Sequence, residues 1–395
     1  MKAALARPRA GWPRPLVLQA VHIHHGLQAA ADDWAEHCAV QCRQWRIPLR
    51  TLRVQVVPDG RGLEAAARAA RYAALAALLA PGDLLVTAHH RDDQAETVLF
   101  RSLRGTGIGG LGAMRELEPL AGGQLWRPLL ATPRAALRAY AQAHGLSTLH
   151  DPHNQDRRLA RAFLRHDVMP LLQTRFAAAD NLARLARHAQ AAEGLLAELA
   201  LLDAQALRTA AGFSVAGLLR LTPERRRNLL HHQWRGLGLA PPDADFYARL
   251  DAEVLGAATD ATPALAQSGL EARRYRDELV LMRRLPPPPD PTLRLRWTQG
   301  TQFALPPGCG ELQAERLPAG GVELAFAVAG LRLRPLGSDR TRTLRNLYQE
   351  AGLPVWVRQR MPLVFLGPEL IAVGDRWRSA KAAALGFSVR WTHPL

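Results

Sequence analysis

Asp83-Leu84-Leu85-Val86-Thr87-Ala88-His89-His90-Arg91-Asp92-Asp93-Gln94-Ala95-Glu96-Thr97 is the stretch whose reading decides the fold. Its apolar opening, 83–88, reads as a buried strand, and from Asp93 to Arg104 the spacing turns helical. Upstream the same alternation recurs: strand at 16–24, helix at 32–45, strand at 49–57, helix at 63–79. Strands alternating with helices predict an α/β fold with a doubly wound parallel sheet. Such sheets bind ligands at the carboxyl ends of their strands. Two polar clusters sit there, His22-Ile23-His24-His25-Gly26 and His89 to Glu96, and both are expected to face one crevice.

Asp93 and Glu96 are three residues apart, so a helix puts them on one face, with Asp92 beside them. Carboxylates so placed can hold Mg²⁺ on a triphosphate or bind an ammonium group. A plain helix N-terminus also accounts for the acids, with Asp92 as N-cap and the others complementing the macrodipole. That account leaves His89, His90 and the glycines that follow unexplained. In the first cluster, His24, His25 and Gly26 suit polar contacts to a nucleotide better than zinc, because no cysteine or further histidine lies at ligand spacing. Arg104-Gly105-Thr106-Gly107-Ile108-Gly109-Gly110-Leu111-Gly112 closes the acidic helix, and the backbone N–H groups of such a loop can cradle an anion. The helix at 63–79 carries Glu64, Arg68, Arg71 and Tyr72 on neighbouring turns, with Glu64–Arg68 as a local ion pair in the bland reading. Asp151-Pro152-His153-Asn154-Gln155-Asp156 is a polar loop entering a helix that carries Arg161 and Arg165.

Past Pro170 a long helix is expected over 181–207, opening a helical middle region. The run Arg225, Arg226, Arg227, followed by His231, His232, Trp234 and Arg235, mixes cations with an aromatic. It could grip RNA phosphates and stack a base, or be a solvated helix face over a buried tryptophan. Residues 271–284 alternate like a hairpin or edge strand, and Pro286 to Pro289 cannot continue a ladder, since proline has no N–H. The remainder, from Thr292, reads as a small α+β domain. The expected domains are therefore 1–175, 176–285 and 292–395.

Of the 395 residues, 51 are Lys or Arg and 35 Asp or Glu, a net charge of +16, which favours a polyanionic partner. Three cysteines cannot staple a chain of this size, so a reducing compartment, the cytoplasm, is the default. No apolar run approaches the roughly 20 residues needed to span a bilayer, so a soluble protein without a membrane partner is expected.

Taken in order, these pieces resemble the tRNA(Ile)-lysidine synthetases of the N-type ATP pyrophosphatase, or PP-loop, superfamily. The likeness continues in Thr343-Leu344-Arg345-Asn346-Leu347-Tyr348, then Trp356, Arg358, Arg360, Pro362 and Ala372-Val373-Gly374, which look like that family's C-terminal domain. The resemblance implies an adenine nucleotide alpha hydrolase-like catalytic domain with ATP and Mg²⁺ as cofactors. ATP would adenylate the carbonyl oxygen of the wobble cytidine of an isoleucine tRNA, and L-lysine's side-chain amine would then attack the activated ring carbon, giving lysidine and AMP. It further implies a catalytic set of Asp92, Asp93, Glu96 and Arg71, with Asp93 and Glu96 on the metal or the lysine. His24, His25, Gly26, His89, His90, Arg104, Gly105 and Gly107 would contact the nucleotide. Arg68, Asp151, Asn154, Arg165, Arg225, Arg226, Arg227, Arg345 and Arg358 would contact tRNA or substrate. A homodimer is compatible with this reading.

Two departures stand out. The family opens with a strand and a Ser-Gly-Gly-x-Asp-Ser loop that wraps the ATP phosphates, and no such run precedes Pro15. Residues 1–11 read instead as the tail of the helix after that loop, so the expectation is an N-terminally truncated sequence with a misplaced start, whose activity as given would collapse. The second departure is Arg161-Ala162, where the family usually shows Asn after the Arg. Two alternatives remain: a tRNA 2-thiocytidine-type enzyme, which the lack of a Cys-x-x-Cys pair disfavours, and a non-catalytic RNA-binding remnant.

Overall fold

The computed structural model describes residues 17–28, 30–57, 60, 62–149, 156–258 and 261–393, without the Glu64 side chain. The chain divides into two compact units, Met1–Leu195 and Leu196–Leu395.

Among the described residues the first unit begins with a β-α-β element. Strand β1 (Ala20–His24) runs parallel to β2 (Leu49–Arg53), joined by helix α1 (Ala31–Gln44), with His24 in register with Arg53. Helix α2 (Leu63–Ala76) packs against β1. The stretch quoted first then folds as expected in kind, strand β3 (Leu84–Val86) leading into helix α3 (Arg91–Ser102). After the short helix α4 (Ile108–Leu111) come β4 (Leu117–Leu120) and β5 (Gly123–Trp126). Strand β5 pairs in parallel with β3 and antiparallel with β4, giving the order β3-β5-β4.

The expected parallel pairing is present, but among the described residues it is divided between the β1-β2 pair and this second sheet. The neighbour of β3 is the second strand of a downstream hairpin, reached by a crossover that runs through α3. Gly123 explains the close fit: a Cβ there would come within 2.6 Å of the Asp83 carbonyl oxygen.

Helix α5 (Arg134–Ala143) follows. The next helical run changes pitch: α6 (Ala160–Phe163) passes into a π-helical turn (Leu164–Val168) and resumes as α7 (Met169–Gln173). Beyond it the long helix α8 (Ala178–Leu207) begins slightly before its expected start. Ala95, Met169, Ala178 and Ala179 are buried together, so small side chains let these helices approach α3 closely.

The second unit is not helical alone. Helices α9 (Val215–Arg220), α10 (Pro223–Gly236) and α11 (Ala244–Arg249) accompany an antiparallel sheet. Its order is β6 (Phe213–Ser214), β9 (Glu278–Arg283), β8 (Leu270–Tyr275), β7 (Ala264–Gln267). The hairpin read from 271–284 is thus the middle of a sheet, because β6 and β7 cover its two edges. Trp234, Leu229, Leu230, Phe246, Leu250, Leu270 and Leu279 fill the core between.

The C-terminal part builds a five-stranded antiparallel sheet in the order β10 (Leu295–Trp297), β13 (Val322–Ala325), β16 (Leu363–Leu366), β17 (Glu369–Val373), β18 (Trp377–Arg378). Around it lie β11 (Gln302–Ala304), β12 (Glu311–Gln313) and β19 (Arg390–Thr392) in one small sheet, and β14 (Arg332–Leu333) with β15 (Arg342–Thr343) in another. Helices α12 (Leu344–Glu350), α13 (Val355–Arg358) and α14 (Ala380–Ala384) complete the expected α+β domain. Among the described residues no helix is long and apolar enough to cross a membrane.

Candidate active site

The start of α3 organises the acidic cluster. His90, not Asp92, is its N-cap: the ring accepts from the Asp93 N–H at 3.3 Å, and Asp93 Oδ2 accepts from the His90 N–H at 3.1 Å. This reciprocal box satisfies two of the donors a helix start leaves over. Asp92 is thereby released to serve another helix, its Oδ2 accepting from the Arg134 N–H at 2.9 Å in the first turn of α5.

One turn further on, Glu96 is 6% exposed. Arg165 in the π-turn meets it with Nε to Oε1 and Nη2 to Oε2, both at 2.7 Å, and reaches Asp93 Oδ1 from Nη2 at 2.9 Å. The Glu96 hydrogen bonds hold the Arg165 guanidinium above its ordinary value, against its own burial. A buried carboxylate requires such a partner, and a π-turn is a frequent device for aiming a side chain at a functional site.

The other face of the same turn is cationic. His89 accepts or donates at Nδ1 with Thr87 Oγ1 at 2.9 Å, and its pKa is pulled down to about 4. Burial is the main cause, then the charge of Arg127, with Arg68 and Arg161 adding to it and Asp93 opposing. Arg68, on α2, is lowered by burial and by Arg161, Arg71 and Arg127, with Tyr72 opposing. Arg127 is 3% exposed and gives Nη1 to the Arg115 carbonyl and Nη2 to Glu118, both at 2.7 Å. Its buried Nε has no partner among the described residues. The charges that act on His89 are thus those of Arg127, Arg68 and Arg161, with Asp93 opposing them. That arrangement suits a site that receives both a polyphosphate and an ammonium group.

Arg127 was not singled out by the sequence, and Arg161 was named there only in its motif, without a role. Arg161 had a usable signal, lying one helical turn before Arg165; Arg127 is brought in by tertiary structure alone.

The histidine tip is held locally: His24 Nε2 lies 3.1 Å from Asp32 Oδ1, which also accepts from Arg53 Nη2 at 2.8 Å. Gly26 is exposed with φ +63°. Helix α2, which packs on β1, also carries the Arg68 whose charge reaches His89, so one helix is common to both clusters. Arg71 is exposed on that helix.

In the glycine-rich loop, Arg104 lies over the Phe100 ring at 5.2 Å, and Gly105 and Gly107 border open space. The later glycines serve packing. A Cβ on Gly110 would come within 1.7 Å of Thr106 Oγ1, and the Gly112 carbonyl accepts from Gln190 Nε2 at 2.6 Å. Asp151 and Asn154 lie outside the described residues, as does the opening stretch 1–11.

The candidate tRNA contacts fall into distinct environments. Arg225 pairs with Asp203, while Arg226 is buried, bonded to Asp251 Oδ1 at 2.9 Å and to the Leu218 and Leu221 carbonyls. With these donors committed, Arg226 is an interior cation rather than a phosphate grip, and the fully buried Trp234 packs on Phe246 instead of offering a stacking face. Arg227 is exposed over the Tyr247 ring at 5.0 Å. Arg345 is exposed on α12. Arg358 donates to the Leu353 carbonyl at 2.6 Å and to the Tyr275 hydroxyl at 3.0 Å, which ties β8 to α13.

The acidic pair does not present an open metal cage. Both Glu96 oxygens and Asp93 Oδ1 accept from Arg165, and Asp93 Oδ2 accepts from the His90 N–H. Among the described residues no group of three or more His, Cys, Asp or Glu side chains could hold a metal ion.

Residues 3–172 match the PP-loop domain, 213–280 the TilS substrate binding domain and 322–391 the TilS substrate C-terminal domain. The first match places the N-terminal unit in the class of PP-loop proteins, which use ATP. Over 393 residues the chain is 41% identical to the tRNA(Ile)-lysidine synthase of Pseudomonas aeruginosa, covering 95% of this chain and 87% of that protein. It is 42% identical to the same enzyme of Alkalilimnicola ehrlichii, over 92% of this chain and 84% of that one, and 43% identical to that of Xanthomonas campestris, over 92% and 85%. The chain belongs to the tRNA(Ile)-lysidine synthase family.

Proposed function

We propose that the protein ligates L-lysine to the wobble cytidine of an isoleucine tRNA in an ATP-dependent reaction. ATP transfers its adenylyl group to the cytidine carbonyl oxygen and pyrophosphate leaves; the lysine side-chain amine then adds to the activated ring carbon and AMP departs. The observation that carries this reading is the gathering of Asp93 and Glu96 about one guanidinium at the start of α3, in a chain that matches the tRNA(Ile)-lysidine synthase family over nearly its whole length. Arg68, Arg127 and Arg161 supply the positive field for the nucleotide's phosphates. Asp93 and Glu96, whose charges already gather one cation, Arg165, supply the negative field that draws the lysine ammonium beside that fork. His89 is neutral at pH 7, its pKa being about 4, so it can accept a hydrogen bond beside the phosphates without adding charge.

Since the acidic oxygens are already committed, Mg²⁺ enters as a companion of the ATP phosphates, as MgATP, and not as a resident ion of Asp93 and Glu96. Residues 1–175 carry the chemistry in this proposal, and 176–285 and 292–395 hold the tRNA, in the cytoplasm. Purified protein incubated with MgATP should release AMP only when lysine and an isoleucine tRNA bearing the wobble cytidine are both supplied. AMP release that is indifferent to lysine would sink the proposal and favour the thiocytidine-type alternative.

A further inference from the structure

The second compact unit contains a cavity of about 550 Å³ lined by Glu271, Arg273, Arg284, the prolines 286–288 and Arg360, none of which the proposed reaction uses. Three guanidinium groups face one carboxylate there, and that carboxylate is already committed. Glu271 Oε1 accepts from Arg273 Nη2 at 2.8 Å and Oε2 from the Leu285 N–H at 3.1 Å.

Arg360 is 2% exposed; its Nη1 donates to the Trp356 carbonyl at 3.0 Å and its Nη2 to the Pro286 carbonyl. Its buried Nε has no partner among the described residues, and neither has the buried Nε of Arg273. Leaving a buried donor unmet costs roughly 1–3 kcal/mol each, and both belong to arginines that line this cavity. The proline wall has no N–H groups, so the free donors of this site are arginine donors. Burial depresses the Arg360 guanidinium and Arg273 repels it further, while Cys309 and Glu271 support it; an anion in the cavity would relieve both costs.

We propose that this cavity binds a phosphoryl oxyanion, held by the guanidinium charges of Arg273 and Arg360 along its wall and by the exposed Arg284 at its rim. The oxyanion is either a free phosphate-type ion or a phosphodiester of bound RNA, which share the recognising chemistry.

The test is calorimetric titration of the whole chain with inorganic phosphate, alongside Arg284→Glu and Arg360→Lys. Arg284 is exposed, so its reversal leaves the fold intact, which an unchanged thermal midpoint verifies. A single saturable site whose affinity falls at least about tenfold in Arg284→Glu is expected, a change of roughly 1.4 kcal/mol. Absence of saturable heat in the wild type, or equal affinity in Arg284→Glu, overturns the proposal. Repeating the titration with tRNA already bound separates the sources: lost heat assigns the site to the RNA backbone, and retained heat to a free ion.

Discussion

Arg165 and Glu96, separated by 69 residues in the chain, form a two-point fork in which Nε and Nη2 each sit 2.7 Å from a carboxylate oxygen. The fork fastens the π-turn to α3 and fixes where the acids of the site point. Removing one partner of a buried pair strands the other, at a cost of about 3–5 kcal/mol. Here the Glu96 side chain is 7% exposed and that of Arg165 22%, so the lower end applies. Arg165→Met should lose about 3 kcal/mol in urea unfolding, whereas Glu96→Gln, which keeps a hydrogen-bonding oxygen, should lose less. An Arg165→Met variant as stable as the parent would show that the fork does not hold the turn.

Asp93 has a different part. Its Oδ2 completes the capping box with His90 and its Oδ1 meets Arg165, and both contacts survive in part when an amide replaces the carboxylate. Asp93→Asn should therefore cost no more than about 1 kcal/mol of stability while removing the charge proposed to hold the lysine ammonium. Lysidine formation is expected to fall on the order of 100-fold, equivalent to roughly 2.7 kcal/mol, with tRNA affinity within a factor of two. Filter binding and single-turnover kinetics separate the two effects, and a parallel loss of binding would contradict this division.

What could be read from the chain in advance follows the range of the forces involved. The strand-to-helix stretch at 83–104 was legible because periodicity and capping act over a few residues, and the same holds for the long helix Ala178–Leu207. Even so, the cap went to His90 and not to Asp92, because the choice turns on which side chain can reach the third N–H of the helix. Arg226 carried no local sign of its burial: its partner Asp251 lies 25 residues away on another helical segment. Arg127 reaches the His89 site through its position at the end of β5, a sheet order that short-range patterns do not encode. Charge runs were therefore the least transferable signal, since one register step separates the buried Arg226 from the exposed Arg227.

His89 should make stability fall with acid. Its folded pKa of about 4 is below the ordinary 6.5, so the unfolded chain takes up the proton first. The contribution is complete above about pH 6.5 and is lost as pH falls toward 4. With the ring about half-buried, solvent screening reduces the effect to about 1–2 kcal/mol. Urea midpoints at pH 7, 6 and 5 should therefore decline more steeply for the parent than for His89→Gln, which cannot titrate. Parallel slopes would mean that neither burial nor the neighbouring guanidinium charges depress this ring's pKa in the folded protein.

The arginine run of α10 divides in the same way. Arg226→Leu leaves Asp251 and two buried carbonyls without their donor, and should cost about 3 kcal/mol or more in stability. Arg227 lies exposed over Tyr247, whose hydroxyl burial pushes up to about 12 against the pull of that guanidinium. Its loss removes little packing, so Arg227→Ala should unfold with the parent. If this face meets tRNA phosphates, the variant binds more weakly across tRNA sequences, and the slope of log affinity against log salt falls by about 1. Titrations at several salt concentrations measure that slope directly; an unchanged slope in Arg227→Ala would remove this face of α10 from the tRNA contact.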